Sequence, residues 1–183
     1  MDFTRSPELE SLRIRTRAFV EEHVLPLESD PGNFAEHENI PDERLAPVRE
    51  KAKAAGLWAP QSPKEYGGMD LPMVAWVVMY AEAARSLFGP LAFNCMAPDD
   101  GNMNVLKKLG TPAQKEKWLR PIVEGKVRSS FAMTEPAPGG GSDPSMIKTY
   151  AEKHGDTWKI YGRKWVIPGA DGAAQPILAA RTA

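Results

Sequence analysis

FAMTEPAPGGGSD, Phe131 to Asp143, and GRKWVIPGA, Gly162 to Ala170, are the stretches on which the reading of this 183-residue chain turns. The first joins a short apolar run to a Thr134-Glu135-Pro136 turn and then to a glycine triplet. The second lies one hairpin further on. Between them Met146 to Lys153 alternates, with Ile147, Thr149 and Ala151 on one face and Lys148, Tyr150 and Glu152 on the other. His154-Gly155-Asp156 reads as a turn and Thr157 to Tyr161 as a returning strand. Lys164 to Ile167 and Ile177 to Arg181 are further strand candidates, and Val127 to Met133 is the first strand of the series.

Upstream of Gly125 the apolar period is helical. Ser6-Pro7 reads as N-cap and first helical residue, followed by Leu9, Leu12, Phe19, Val20 and Val24. Asp42 to Ala55 predicts a second helix, with Leu45, Val48, Ala52 and Ala55 facing one way and Gly56 as its stop. Asp70 is a candidate cap for a helix from Met73 to Ala84, which is apolar nearly all round and so predicts a helix buried at the centre of its domain. Asp99 to Leu109 predicts another helix, with Asp99 and Asp100 as candidate caps. Thr111-Pro112-Ala113-Gln114 spells a capping box for the last one. Helices first and strands second predict an α+β chain in two domains, residues 1–128 all-helical and residues 129–183 a sheet. A sheet of about 55 residues has little core to bury, so the expectation is the truncated start of a larger β-barrel-like domain.

Composition excludes several classes. The formal net charge of -1 shows no basic excess for nucleic acid. A single cysteine, Cys95, excludes an internal disulfide framework, and with three scattered histidines it spells no metal site. The longest apolar run, Leu71 to Ala81, falls well short of the roughly 20 residues that span a bilayer. The first residues, MDFTRSPELESLR, hold no apolar signal core and carry Asp2, Glu8 and Glu10. The expectation is a cytoplasmic protein.

Taken singly, the polar candidates each have two readings. Gly139-Gly140-Gly141-Ser142 is either a flexible connector or a cradle of backbone N–H groups for an anion; it is neither a Walker loop nor a Rossmann fingerprint. Thr134 is either a strand-end turn residue or a hydroxyl donor to a planar heterocycle. Trp165 is either a core residue or a stacking platform. Glu135 has no partner carboxylate or histidine at useful spacing, which favours an exposed or structural role over that of a base. Cys95, with no basic neighbour, reads as a buried inert thiol.

Together with GLWAPQSPKEYGG (Gly56 to Gly68) and GTPAQKEKWLRPIVEGKVRSSFAMTEP (Gly110 to Pro136), these motifs resemble the N-terminal and early middle parts of the acyl-CoA dehydrogenase family. NCMAPDDGNM (Asn94 to Met103) and GRKWVIPGA are similar to the branch of acyl-CoA dehydrogenase family members 10 and 11. The resemblance implies a helical domain, a middle β-domain and a C-terminal four-helix domain that would lie beyond these residues. It implies FAD as cofactor, an acyl-CoA thioester as substrate, a trans-2-enoyl-CoA as product, electron-transfer flavoprotein as electron acceptor and a homo-oligomer as assembly. The catalytic base is implied to come from the C-terminal domain, so no catalytic residue is assigned here. The alternative is a non-catalytic binding or assembly module derived from the family.

Position by position, the resemblance implies that Phe131, Met133 and Thr134 contact the flavin from the first middle-domain strand. It puts Gly141 and Ser142 at the FAD pyrophosphate, with Ser142 also at the CoA side of the substrate. It assigns Trp165, Val166, Ile167 and Pro168 to a second flavin-facing strand, and places Asn94 and Pro98 near the acyl chain. Pro168 stands where the family has Ser or Thr, and proline brings neither hydroxyl nor N–H. Val166 stands where an aromatic residue is usual.

Overall fold

The computed structural model describes residues 4–34 and 40–182. They form two compact units, one ending at Gly125 and one starting at Lys126.

The helical unit begins with α1, Pro7–Phe19. Ser6 caps it by accepting from the Leu9 N–H at 3.4 Å, and Glu8 and Glu10 sit in the first turn, where the helix dipole favours anions. A π-turn over Val20–Val24 prolongs α1 until a 3₁₀ segment, Leu25–Ser29, carrying Pro26, ends it. α2 spans Asp42–Ala54 and buries Leu45, Val48 and Ala52. Gly56, at φ +65°, supplies the left-handed stop. Ala55, expected on the buried face, is exposed because the helix has ended before it.

α3, Met73–Ala83, departs from its expected all-round burial. It packs chiefly on α1, with lesser contact to α4, Gly89–Ala92. That arrangement buries Ala75, Met79, Glu82 and Ala83 while Met73, Val74 and Val77 stay exposed. Beside those apolar residues, the buried Glu82 carboxylate bridges α3 to α1. Glu82 accepts from Arg17 Nε at 2.9 Å and Arg13 Nη1 at 3.2 Å, and Arg13 in turn grips Glu10 through Nη2 at 2.5 Å. Burial alone would raise the Glu82 pKa; the hydrogen bonds from Arg17 and Arg13 outweigh it and leave it lowered. A depressed folded pKa gives stability that is complete above the ordinary 4.5 and is lost as pH falls through the lowered value. Acidification below pH 4.5 is thus expected to loosen α1 from α3, and Glu82→Gln to remove that part of the acid sensitivity. Amide exchange of α1 at neutral and acid pH measures it, and equal acid loosening in the variant would contradict it.

α5 spans Asp99–Leu109. Neither Asp99 nor Asp100 caps it, and Asp70 does not cap α3. Prolines at the two N-cap positions, Pro98 and Pro72, leave those aspartates other partners; Asp70 takes Lys107 Nζ at 2.6 Å. The Thr111–Gln114 capping box forms as expected and opens α6, Pro112–Gln114, which runs through a π-turn, Lys115–Leu119, into α7, Arg120–Val123. Trp58 locks this end of the unit. Its ring is 3% exposed, its Nε1 donates to the Val123 carbonyl at 2.7 Å, and Lys53 Nζ lies 4.7 Å from the ring centroid. Gly125, at φ +74°, lets the chain turn against the indole: a Cβ there would come within 2.7 Å of Trp58 Cζ2. No helix among the described residues is long and apolar enough to cross a membrane.

The sheet unit holds β1 (Arg128–Ala132), β2 (Tyr150–His154), β3 (Thr157–Tyr161), β4 (Ala173–Leu178) and β5 (Arg181–Thr182). β1 pairs parallel to β4, with Phe131 opposite Ile177 and Ala132 opposite Leu178. β2 pairs antiparallel to β3 through a turn with Gly155 at φ +60°, and parallel to β5. The alternation read from the sequence holds: Ile147, Thr149 and Ala151 are buried, while Lys148, Tyr150 and Glu152 are exposed. β3 is an edge strand of its sheet, and each of its residues is exposed. Tyr150 and Tyr161 stack across the hairpin with ring centroids 5.1 Å apart. Lys164 to Ile167 is not a strand. Gly162 at φ +157° and Val166 at φ +48° break the extended geometry on both sides of Trp165.

Candidate functional site

The apolar run of β1 ends at Ala132, and the next residues turn outward. Met133 N–H donates back to the Phe131 carbonyl at 3.2 Å, which bends the chain. The two sequence motifs then meet. Trp165 N–H donates to the Thr134 carbonyl at 3.2 Å, and Lys164 Nζ donates to the Met133 carbonyl at 2.8 Å. Met133, Thr134 and Trp165 are thereby held side by side although they lie some thirty residues apart in the chain.

Trp165 is 49% exposed, which removes its reading as a core residue. Phe131 is also exposed, and Val166 is 77% exposed in the left-handed region. A β-branched residue held there costs about 1–3 kcal/mol, the kind of strain that collects at working sites. Pro168 has a local reason. It is followed by Gly169 at φ +73°, and Ala170 N–H closes back on the Ile167 carbonyl at 3.2 Å. Proline followed by a left-handed glycine is the pairing a type II turn requires. The hydroxyl implied by the resemblance is thus replaced by a rigid corner.

The glycine loop is tied to the same place. Glu135 N–H donates to the Gly141 carbonyl at 3.1 Å. Gly141, at φ +60°, has open space where a Cβ would stand, and Ser142 beside it is exposed. Gly139, by contrast, is packed: a Cβ there would fall 2.6 Å from Glu135 Oε2.

Glu135 itself is 3% exposed. Its two oxygens accept from the Lys148 N–H at 2.7 Å, the Thr149 N–H at 2.9 Å and Lys164 Nζ at 2.9 Å. The Thr149 hydroxyl is buried and makes no hydrogen bond of good geometry, yet it lies near enough to favour the ionised carboxylate. That hydroxyl, the Lys148 amide and the Lys164 ammonium hold the carboxyl down to about 2. An acid this strong stays ionised and cannot take up a proton near neutral pH. No local pattern announces this arrangement, since Lys164 and the two amides come from distant segments.

Asn94 and Pro98 belong to the helical unit. Asn94 sits at φ +54° and is buried, with Nδ2 donating to the Ile122 and Val123 carbonyls at 2.9 and 3.2 Å. Pro98 occupies the N-cap of α5. Their neighbour Asp100, read from the sequence as a helix cap, instead has Oδ1 accepting from Tyr80 OH and Gln61 Nε2. Burial pushes the Asp100 pKa up against those two hydrogen bonds. Burial and the Asp100 charge also push up the thiol of Cys95, which is buried as expected.

The residues of the sheet unit suit a flavin in kind. Exposed Trp165, Phe131 and Val166 offer apolar surface to a planar ring, Thr134 offers a hydroxyl, and the open Gly141–Ser142 corner offers room for a phosphate. Pro168 offers nothing to the ring's polar edge.

Two family models match the chain: "Acyl-CoA dehydrogenase, N-terminal domain" over residues 6–126 and "Acyl-CoA dehydrogenase, middle domain" over residues 130–183. Among curated relatives, acyl-CoA dehydrogenase family member 11 of Gallus gallus is 34% identical over 174 residues, covering 92% of this chain and 22% of its own length. The Mycobacterium tuberculosis protein named probable acyl-CoA dehydrogenase FadE2 is 37% identical over 174 residues, covering 93% and 42%. A solved Mycobacterium abscessus protein assigned as an acyl-CoA dehydrogenase superposes with a TM-score of 0.85 at 34% identity, covering 98% of this chain and 47% of that one. A Mycobacterium smegmatis glutaryl-CoA dehydrogenase solved with FADH2 shares the fold at 23% identity, with a TM-score of 0.74, covering 97% and 43%. This chain therefore spans less than half the length of each of these relatives.

Proposed function

The chain belongs to the acyl-CoA dehydrogenase family, and on that premise we propose that it carries the helical and flavin-facing parts of a FAD-dependent enzyme that oxidises an acyl-CoA thioester to a trans-2-enoyl-CoA. The observation that carries the reading is the hydrogen-bonded apposition of Thr134 and Trp165, which gathers the exposed apolar residues of two separate motifs. Bound FAD supplies the hydride acceptor. Trp165 and Val166 cover a ring face, the Thr134 hydroxyl meets its polar edge, and the Gly141–Ser142 corner receives the pyrophosphate and the CoA side of the substrate. Asn94, spent on backbone carbonyls, shapes the acyl region through the loop it holds, with Pro98 starting the helix beyond it. Glu135 is not the base that takes the α-proton, because it is buried, paired and ionised. That role falls to a carboxylate outside these site residues. Electron-transfer flavoprotein as acceptor, a homo-oligomeric assembly and a cytoplasmic location complete the proposal.

Titrating the protein with FAD and following flavin fluorescence tests the reading. Saturable binding is expected, weaker in Trp165→Ala. Pro168→Ser is expected to tighten it about 2–10-fold, the worth of one neutral hydrogen bond of about 0.5–1.5 kcal/mol. Val166 and Pro168 favour one rival, a binding or assembly module that has given up the chemistry. Absence of FAD binding in both the native protein and Pro168→Ser would decide for that rival.

A further inference from the structure

We propose that Glu135 is a positioning residue for the flavin, acting with Lys164 as a buried clamp that holds the Thr134–Trp165 edge in its binding shape; this rests on the flavin reading above. Four segments converge on this side chain or its backbone. The turn after β1 carries it. The glycine loop is bonded to its N–H through the Gly141 carbonyl and packed against its carboxylate at Gly139. The chain entering β2 donates the Lys148 and Thr149 amides. The segment bearing Trp165 sends Lys164, whose ammonium bridges Glu135 Oε1 at 2.9 Å and the Met133 carbonyl at 2.8 Å.

Lys164 and Glu135 side chains are both nearly closed to solvent, so the pair is not a screened surface ion pair. Lys164 directly precedes Trp165, and Glu135 directly follows Thr134. The contact between the two motifs is thus fastened twice in adjacent residues, once by Trp165 N–H to the Thr134 carbonyl and once by this pair. Neutralising the carboxylate frees Lys164, and with it the angle at which Trp165 meets Thr134.

The experiment uses Glu135→Gln, which removes the charge and keeps an acceptor for one of the two amides, and Lys164→Met, which keeps the stem and removes the ammonium. FAD affinity is measured by flavin fluorescence. Folding is checked by thermal unfolding, and the Trp165 environment without FAD by the fluorine NMR resonance of fluorotryptophan-labelled protein, assigned with Trp165→Phe. Both variants are expected to fold, to shift and broaden the Trp165 resonance, and to bind FAD about 10-fold or more weakly, the range for losing a charged hydrogen bond. Variants that bind FAD like the native protein would overturn the clamp and leave the flavin reading standing. If the native protein binds no FAD, the flavin reading fails, and the resonance alone decides whether the clamp orders Trp165: an unchanged line overturns it. Should either single variant fail to fold, Glu135→Gln combined with Lys164→Met removes the unpaired charge, and native FAD affinity in that double variant overturns the proposal.

Discussion

Replacing Trp58 with alanine is expected to remove about 3–5 kcal/mol from the stability of the helical unit, the range for truncating a fully packed large aromatic side chain. Three separate losses combine. The indole is buried against the last residues of the unit, so its deletion leaves a cavity that the Val123–Gly125 backbone cannot collapse into without breaking its own hydrogen bonds. The Val123 carbonyl loses the Nε1 donor, although Asn94 Nδ2 still reaches it at 3.2 Å. Lys53 loses the ring beneath its ammonium. Trp58→Phe should recover the volume but not the hydrogen bond, and so fall between the two. Urea unfolding followed by far-ultraviolet circular dichroism measures this, with the denaturant slope checked for constancy. A midpoint within error of the native protein would show that the indole does not support the unit.

Gly125→Ala should cost about 2–4 kcal/mol, with two contributions that can be separated. A left-handed backbone costs an L-residue about 1–2 kcal/mol, and forcing a methyl into a packed site costs about 1–3 kcal/mol. The second contribution exists only because Trp58 Cζ2 would lie 2.7 Å from the new carbon. In a Trp58→Ala background that clash is gone and only the backbone cost remains. The double variant should therefore be more stable than the sum of the single effects predicts, by about 1–3 kcal/mol. Strict additivity would mean that the glycine is required for its dihedral angle alone.

The helical unit was largely legible from residue patterns because its signals are local. Ser6, Gly56 and the Thr111–Gln114 box mark their helix ends within a few residues of where they act. The same local logic failed where a neighbour decides. α3 carries apolar residues all round, but it buries one face, and that face includes its one carboxylate, bonded to α1. Asp70 and Asp100 look like caps in sequence, yet each is taken by a side chain from another segment. In the sheet unit the alternation of residues 147–152 was readable, whereas the course of residues 164–167 was not. Val166 is a strand-former by propensity held in a left-handed conformation, a tertiary override that no residue pattern encodes. Resemblance supplied the candidates Phe131, Thr134 and Trp165. Glu135 reads from the sequence as exposed or structural rather than as a base; its burial and pairing are not legible there, because its partners come from residues 148, 149 and 164.

The place of β3 at the rim of its sheet governs which surface substitutions the protein can survive in a crowded cell. Thr157, Trp158, Ile160 and Tyr161 all favour extended pairing, and an exposed rim of such residues is a template on which further chains can add and grow into insoluble fibres. Lys159 is the single charge among these five residues and stands at their centre. Its ammonium contributes little to holding the native state together, yet it makes joining a second identical rim unfavourable. Exposed positions ordinarily tolerate change. Here an apolar replacement at one of them would leave the fold unharmed and still remove the protein from solution.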